Sequence, residues 1–346
     1  MRLLIFTQAI DKNDPVLGFF HGWLAEFSKK FEEITVVALR TGEMTLPFNV
    51  KVFSINGARN KRWKLYKILK VLFFIWKTRH SADAVFVHMN KEYVLAGAPL
   101  WIFFSTPVYF WYNHKKADFF ARLAMKFSKK IFYTSEHSAS AKLDSSVQMP
   151  VGVDTDLFMP TNKINSRGQT IISLGRIDPV KNINILARAI LLLEKENTLN
   201  IKFTIAGSPS WGNEKYAADV RELLKPLVDK GVVRFVGAVS HETASKFFNQ
   251  NKVFINLTPS GSFDKTILEA MACGTLAIVA NDSVFSVVGD EGKITELNLN
   301  FVADKIKETF SLSQAECLRR SALNREFVLK NHSLSFLADR LAEEIQ

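Results

Sequence analysis

Cysteine is nearly absent: 346 residues hold two, Cys273 and Cys317. Two thiols cannot build a disulfide framework, and neither lies in a metal-ligand spacing, so a reducing compartment is expected. Internal repeats and low-complexity segments are also missing. The apolar run Leu3–Phe6 is too short for the core of a secretory leader, and the acids Asp11 and Asp14 follow it. Acidic residues are scarce in one half only. Residues 1–150 carry 22 Lys and Arg against 11 Asp and Glu, whereas residues 151–346 carry 23 of each, so the net charge of +11 belongs to the first half.

Two stretches concentrate that charge. Arg59–His80 holds eight Lys or Arg and no acid, interleaved with Trp63, Tyr66, Phe73, Phe74 and Trp76. Lys115–Lys130 holds six more around Phe119, Phe120, Met125 and Phe127. A basic face mixed with aromatic residues is how a helix lies on an anionic bilayer surface. The plainer alternative is a solvated helix that packs its apolar side on its own domain. No nucleic-acid-binding module accompanies the charge, so a nucleic-acid partner is not expected. The 21 residues Tyr93–Asn113 carry no charge, a length that spans a bilayer. Gly97, Pro99, Ser105, Thr106 and Pro107 instead break them into a short helix and a buried strand.

At this length two domains are expected. The first half alternates strands and helices: strands at 2–7, 34–38, 50–53, 84–88, 108–112 and 131–133, a helix at 19–30 and the basic helix after residue 53. Alternation of this kind implies a doubly wound α/β fold with a parallel sheet and ligands at the strands' carboxyl ends. Near Pro150 the rhythm breaks into VGVDTDLFMPTNKINSRGQT, a candidate linker. A second series starts at 170–174, with a helix at 183–193 and strands at 202–206, 233–236, 253–257 and 276–280.

Two junctions carry the chemistry. Leu257–Ala280 reads as a strand end, a loop of small residues, an amphipathic helix and a return strand. Ser260, Gly261 and Ser262 offer backbone N–H groups beside the helix that follows, an arrangement that holds anions. Glu269 lies among Ile267, Leu268, Ala270, Met271 and Ala272, where a carboxylate needs hydroxyls or a cation as partner. The other junction, Gly175-Arg176-Ile177-Asp178-Pro179-Val180-Lys181, closes a strand and opens a helix. Arg176 and Lys181 can there converge on a pyrophosphate, or can be two ordinary surface charges.

GRIDPVKNINILARAI, preceded by PVGVDTDLFMP and followed by VRFVGAVS and SGSFDKTILEAMACGTLAIVA, resembles the retaining glycosyltransferases of family 4. Four motifs occur in order over about 130 residues of the second half. The resemblance implies the GT-B fold: two Rossmann-like domains facing across a cleft, here a first, acceptor-binding domain over 1–160 and a second, nucleotide-sugar-binding domain over 161–346. The last helix, about 333–346, is expected to cross back to the first domain. It also implies roles. Arg176 and Lys181 match the basic pair that binds the donor diphosphate, and His114 resembles the first-domain histidine beside the transferred sugar. Gly18 resembles the glycine of the loop after the first strand, and Ser262 and Phe263 occupy positions whose backbone meets the donor. Glu269 matches the second glutamate of the E-x7-E motif, which binds the ribose.

The first glutamate of that motif is missing: Gly261 stands eight residues before Glu269. Asp264 is the candidate substitute for sugar binding, with helix capping as its alternative, and Lys265 is a candidate for binding an acidic sugar. His21 is a candidate on the acceptor side, and His88 ends a strand; for both the alternative is a structural histidine. Asp154-Thr155-Asp156 spells a metal-binding pattern of another glycosyltransferase fold but lies in the linker, and neither a metal nor a cofactor is expected. The expected activity is sugar transfer from a nucleotide-diphosphate sugar to a lipid-linked or glycan acceptor, as in polysaccharide or glycolipid assembly. The expected location is the cytoplasmic face of a membrane, bound peripherally to its anionic surface. The alternatives are a nucleotide-sugar-binding protein without turnover, or another GT-B enzyme such as a sugar-nucleotide epimerase or a phosphorylase.

Overall fold

A computed structural model describes residues 1–14, 16–55, 63–79, 81–261 and 263–346, leaving aside the side chains of residues 63–65 and 67. The start of the basic stretch, with Arg59 and the side chain of Trp63, thus lies outside the described residues. The chain divides into two compact units, Met1–Gly152 with Leu334–Gln346, and Val153–Ser333.

The first unit contains β1 (Arg2–Ile10), α1 (Phe19–Phe27), β2 (Glu33–Thr41), β3 (Val50–Ser54), α2 (Trp63–Thr78), β4 (Ala84–His88), α3 (Lys91–Phe103), β5 (Val108–Trp111), α4 (Phe119–Lys126), β6 (Lys130–Tyr133) and β7 (Ser146–Gln148). Among the described residues its strands form one sheet of order β3-β2-β1-β4-β5-β6-β7, paired in parallel throughout. Helices cover both faces, so β1 and β4 are apolar on successive residues rather than alternate ones. Leu3 and Ile5 join Phe20, Trp23, Leu24 and Phe27 of α1 in one core, while Leu4 and Phe6 join Val71, Phe74 and Ile75 of α2 in the other. The strand order reverses between β1 and β4, which puts the unit's natural crevice at their carboxyl ends.

The uncharged run 93–113 is a helix followed by a buried strand. Pro99 lies inside α3, Ser105 turns the chain at φ 55°, and all four residues of β5 are buried. Among the described residues no helix is long and apolar enough to cross a membrane.

The second unit contains β8 (Thr170–Leu174), α5 (Ile183–Glu196), β9 (Lys202–Ala206), α6 (Glu214–Asp229), β10 (Val233–Gly237), α7 (His241–Gln250), β11 (Val253–Asn256), α8 (Lys265–Ala272), β12 (Leu276–Val279), α9 (Leu299–Ser311) and α10 (Gln314–His332). Its sheet runs β10-β9-β8-β11-β12, again parallel, with the reversal between β8 and β11. The final helix, α11 (Leu334–Ile345), belongs to the first unit. Its Leu337, Leu341 and Ile345 are buried in the core of α1, Tyr109 Oη donates to the carbonyl of Ile345 at 3.2 Å, and Lys130 pairs with Glu344 at 2.7 Å. Gly152 makes room for this helix: a Cβ there would lie 2.3 Å from Leu337 Cδ2 and 2.8 Å from Trp23 Nε1.

A second close approach shapes the far end of β8. Gly175 and Gly207 have φ values of 146° and 149°, and a Cβ on Gly207 would lie 1.7 Å from the carbonyl oxygen of Gly175. Gly207→Ala is therefore expected to destabilise the second unit by roughly 1–3 kcal/mol through backbone strain, before the clash is added. Thermal melting should fall by about 2–4 °C per kcal/mol lost, and an unchanged melting temperature would show that the close approach is not required.

Candidate functional site

In the second unit the turns after β8 and β11 meet at the strand-order reversal, where a parallel sheet exposes strand ends and helix N-termini together. Ser173, Leu174, Gly175, Arg176, Lys181, Ile183, Asn256 and Leu257 line one pocket there. The first turn leaves β8 through Gly175, forms a 3-10 turn over Pro179–Lys181, and enters α5 at Asn182, a left-handed N-cap with φ 51°. Asn182 Nδ2 donates to the carbonyl of Leu257 at 2.9 Å, which ties the α5 start to the end of β11.

The two cations of this turn are held differently. Arg176 is 60% exposed at its side chain, with Nη1 3.4 Å from Asp178 Oδ2. Asp178 is itself buried, its Oδ1 accepting from Ser210 N at 3.0 Å, Ser210 Oγ at 2.8 Å and Asn213 Nδ2 at 3.1 Å. Burial works to raise the Asp178 pKa, but these bonds and the charge of Arg176 prevail and hold it below the usual carboxylate value. Lys181 is only 15% exposed, lies over Gly175, and is ion-paired with Asp264.

Asp264 is the N-cap of α8, and both of its oxygens are engaged. Oδ1 accepts from Thr266 Oγ1 at 2.8 Å, while Oδ2 takes Lys181 Nζ and Asn256 Nδ2, the latter at 2.7 Å. Burial pushes this carboxyl up, yet the charge of Lys181 and the hydrogen bonds from Lys181, Asn256 and Thr266 outweigh it and hold the pKa below the ordinary value. Capping is thus the alternative that the geometry supports, and a sugar-binding role would have to break this network. Gly261 is buried with φ 149°, a conformation that side-chain-bearing residues rarely adopt, so a glutamate on this backbone would be strained. Ser262 lies outside the described residues. The Phe263 ring packs on His332 at 5.6 Å, and burial pushes the His332 pKa down to about 4, so that ring is neutral at pH 7.

Glu269 lies one turn into α8 and is buried; its Oε1 is 3.1 Å from Nε2 of His241, the first residue of α7. The His241 ring packs edge-on against Phe158 at 5.0 Å. His241 is a partner the sequence did not reveal, because nothing near it in the chain marks a histidine that reaches a helix 28 residues away. Lys265, at the start of α8, is pushed down to about 8 by burial, against the opposing pull of Glu269 and Asp154. Asp154 uses its carboxylate within its own turn, accepting from the backbone N–H of Asp156 at 3.1 Å and Leu157 at 3.0 Å. Burial raises the Cys273 thiol to about 12, which makes it an inert packing residue.

The candidates of the first unit divide into groups built into the fold and one exposed group. Gly18 caps α1, and a Cβ on it would lie 2.7 Å from the carbonyl oxygen of Asp14 and 2.9 Å from that of Lys12, so the loop's own carbonyls require the glycine. His21 Nε2 accepts from the backbone N–H of Thr45 at 3.0 Å, bracing α1 against the segment after β2. His88 is buried, with Nδ1 3.4 Å from Thr7 Oγ1 and its ring 4.7 Å from that of Phe20, a core histidine. His114 follows β5 and is exposed, with its ring 5.0 Å from that of Tyr112. Partial desolvation, and then the charge of Lys91, lower its pKa and favour the neutral imidazole.

Residues 154–314 match the family model of the glycosyl transferases group 1. Over 140 residues the chain is 28% identical to D-inositol 3-phosphate glycosyltransferase 2 of Catenulispora acidiphila, a match covering 37% of this chain and 33% of that protein. Over 130 residues it is 28% identical to O-antigen chain mannosyltransferase B of Escherichia coli, covering 36% and 32%. The chain's match thus spans about a third of the length of these curated relatives. Among solved structures, Anabaena HepE in complex with UDP-glucose aligns over 99% of this chain and 98% of its own, with a TM-score of 0.77 and 14% identity. Sucrose-phosphate synthase of Thermosynechococcus elongatus aligns over 99% and 98%, with a TM-score of 0.74 and 15% identity. These likenesses are of fold: two Rossmann-like domains of the GT-B type.

The Asp264 network makes stability depend on acid. A carboxyl whose native pKa lies below its unfolded value adds stability above the ordinary Asp range near pH 4, and that stability is lost as pH falls through the native value. Asp264→Asn, which keeps a good N-cap residue, is expected to flatten the loss of melting temperature below about pH 5. An acid limb identical to the parent's would remove Asp264 from the groups that stabilise the second unit.

Proposed function

We propose that this chain is a glycosyltransferase that takes a sugar from a nucleotide-diphosphate sugar. The observation that carries the reading is the placement of Arg176 and Lys181 on one pocket at the reversal of the second sheet, inside the region that matches the glycosyl transferases group 1. The likeness to glycosyltransferases by name and to a structure holding UDP-glucose supports the same reading.

In this reading the nucleotide diphosphate leaves with its charge held by the Arg176 guanidinium, the Lys181 ammonium and the N-terminal amides of α5, which are oriented before the reaction begins. Asp178, fixed by Ser210 and Asn213, orients the guanidinium while leaving most of it exposed to an incoming phosphate. Glu269, braced by His241, takes the ribose hydroxyls, and the backbone of Phe263 approaches the donor. His114 acts as a neutral hydrogen-bonding group toward the sugar. Retention of anomeric configuration is proposed on the motif resemblance, with the acceptor hydroxyl attacking from the face that the diphosphate leaves. The acceptor is proposed to be a lipid-linked or glycan intermediate of cell-surface polysaccharide or glycolipid assembly, taken by the first unit. A nucleotide-sugar-binding protein without turnover is the second reading, favoured by Gly261 and by the engagement of Asp264 with Lys181.

The first unit is proposed to lie against the cytoplasmic face of a membrane. Tyr66, Ile68, Leu69, Phe73 and Trp76 are exposed along α2, Ile102 and Phe103 at the end of α3, and Phe119 and Phe120 on α4. Trp76 and Phe104 are in ring contact at 6.1 Å, and Arg79 stacks on Trp76 at 4.1 Å, so cations and apolar rings share one surface. Apolar insertion and attraction to anionic headgroups would then act together.

Two measurements test these readings. Thermal-shift screening with uridine, guanosine and adenosine diphosphate-sugars should find one donor that raises the melting temperature by mass action. With that donor, Arg176→Ala and Lys181→Ala should each lower transfer at least on the order of a hundredfold, a size seen for loss of one charge-stabilising group. Full turnover by both folded variants would refute the diphosphate assignment. Flotation with anionic liposomes at low salt, and release as ionic strength rises, is the expected membrane behaviour; protein that stays in the soluble fraction at low salt would refute it.

A further inference from the structure

We propose that Asp264 is an internal competitor for the diphosphate site, occupying Lys181 with a carboxylate that a bound nucleoside diphosphate must displace. The inference rests on the proposed diphosphate role of Lys181 and deepens it: donor affinity is set by an exchange of anions on one ammonium group.

The two cations of the pocket make the argument by contrast. Each has its own carboxylate, Asp178 for Arg176 and Asp264 for Lys181. Arg176 keeps most of its five N–H donors available, because its side chain is 60% exposed and meets Asp178 through one nitrogen at 3.4 Å. Lys181 is 15% exposed and Asp264 12% exposed, and the ammonium is directly on Oδ2. A compact ammonium so enclosed cannot give a phosphate its full charge while the carboxylate stays in place. A phosphate brought to Lys181 also comes within a few ångströms of Asp264, and in a half-buried site like charges at that distance are weakly screened.

The carboxylate has other partners to fall back on. Thr266 Oγ1 donates to Oδ1 at 2.8 Å and Asn256 Nδ2 donates to Oδ2 at 2.7 Å, so Asp264 stays hydrogen-bonded and stays the cap of α8 when Lys181 turns to a phosphate. The exchange therefore needs a rotation of the Lys181 side chain and leaves the cap intact. Lys181 lies over Gly175, whose missing Cβ leaves the ammonium 3.9 Å from the position that Cβ would occupy, so no side chain there blocks that rotation. A positioning role, in which Asp264 holds Lys181 ready for phosphate, predicts the opposite sign when the carboxylate is neutralised.

The test is calorimetric titration of the full chain with UDP, GDP and ADP, comparing the parent with Asp264→Asn and Lys181→Ala. Competition predicts that Asp264→Asn binds the preferred diphosphate on the order of tenfold more tightly, a gain that salt reduces. Weaker or unchanged binding by Asp264→Asn, with binding lost in Lys181→Ala, would overturn the competition and leave the diphosphate site standing. Binding by Lys181→Ala equal to the parent's would overturn the diphosphate reading of Lys181 and this inference with it. Asp264→Ser, another good N-cap without charge, repeats the comparison if the asparagine variant melts well below the parent.

Discussion

The ion pair between Lys181 and Asp264 joins two turns 83 residues apart in the chain, one closing β8 and one opening α8. Around it Asn256, Thr258 and Thr266 converge on the same carboxylate, at 2.7, 3.5 and 2.8 Å. The pocket of the second unit has its walls where they are because this small polar network crosses the strand-order reversal. Such a network is stable only when all its members are satisfied, since an unpaired charge in a half-buried setting costs far more than the pair contributes. The same economy explains why Glu269, one turn further into α8, has His241 on it.

Glycine supplies the complementary constraint. The approach of Gly207 to the Gly175 carbonyl draws the loop after β9 onto the loop after β8, which brings Ser210 and Asn213 to Asp178 and so fixes the base of Arg176. Gly261 does the converse. Its φ of 149° gives the loop before α8 a path that side chains disfavour, and the carboxylate expected there is replaced by one three residues later that faces a cation.

The first unit shows how the two-faced sheet shares its chemistry. The three candidate histidines have unlike places: His88 lies in the core against Phe20, His21 braces Thr45, and His114 is exposed beside Tyr112. The alternation of strands and helices implied a sheet covered on both faces, but it could not say which helix would cover which. That α11 returns to α1 depends on Gly152, which leaves space for Leu337, and on the Tyr109 bond to Ile345 and the Lys130 pair with Glu344, which span 236 and 214 residues. An exposed aromatic face on α2 remains once both cores are filled, and only burial distinguishes Phe73 and Trp76 from Phe74 and Ile75 beside them.

By itself the sequence determined the α/β class, the parallel sheets, the two-domain organisation and the two junctions that carry charge, because each follows from local periodicity, turn residues and motif spacing. It also marked the missing glutamate at Gly261. Tertiary structure alone decided the partners: Asp264 on Lys181, His241 on Glu269, Asp178 beneath Arg176. The physical reason is that a buried charge accepts whichever opposite or hydrogen-bonding group the fold brings within about 3 Å, and that pairing is set by sheet order and helix packing across distances that local pattern does not encode.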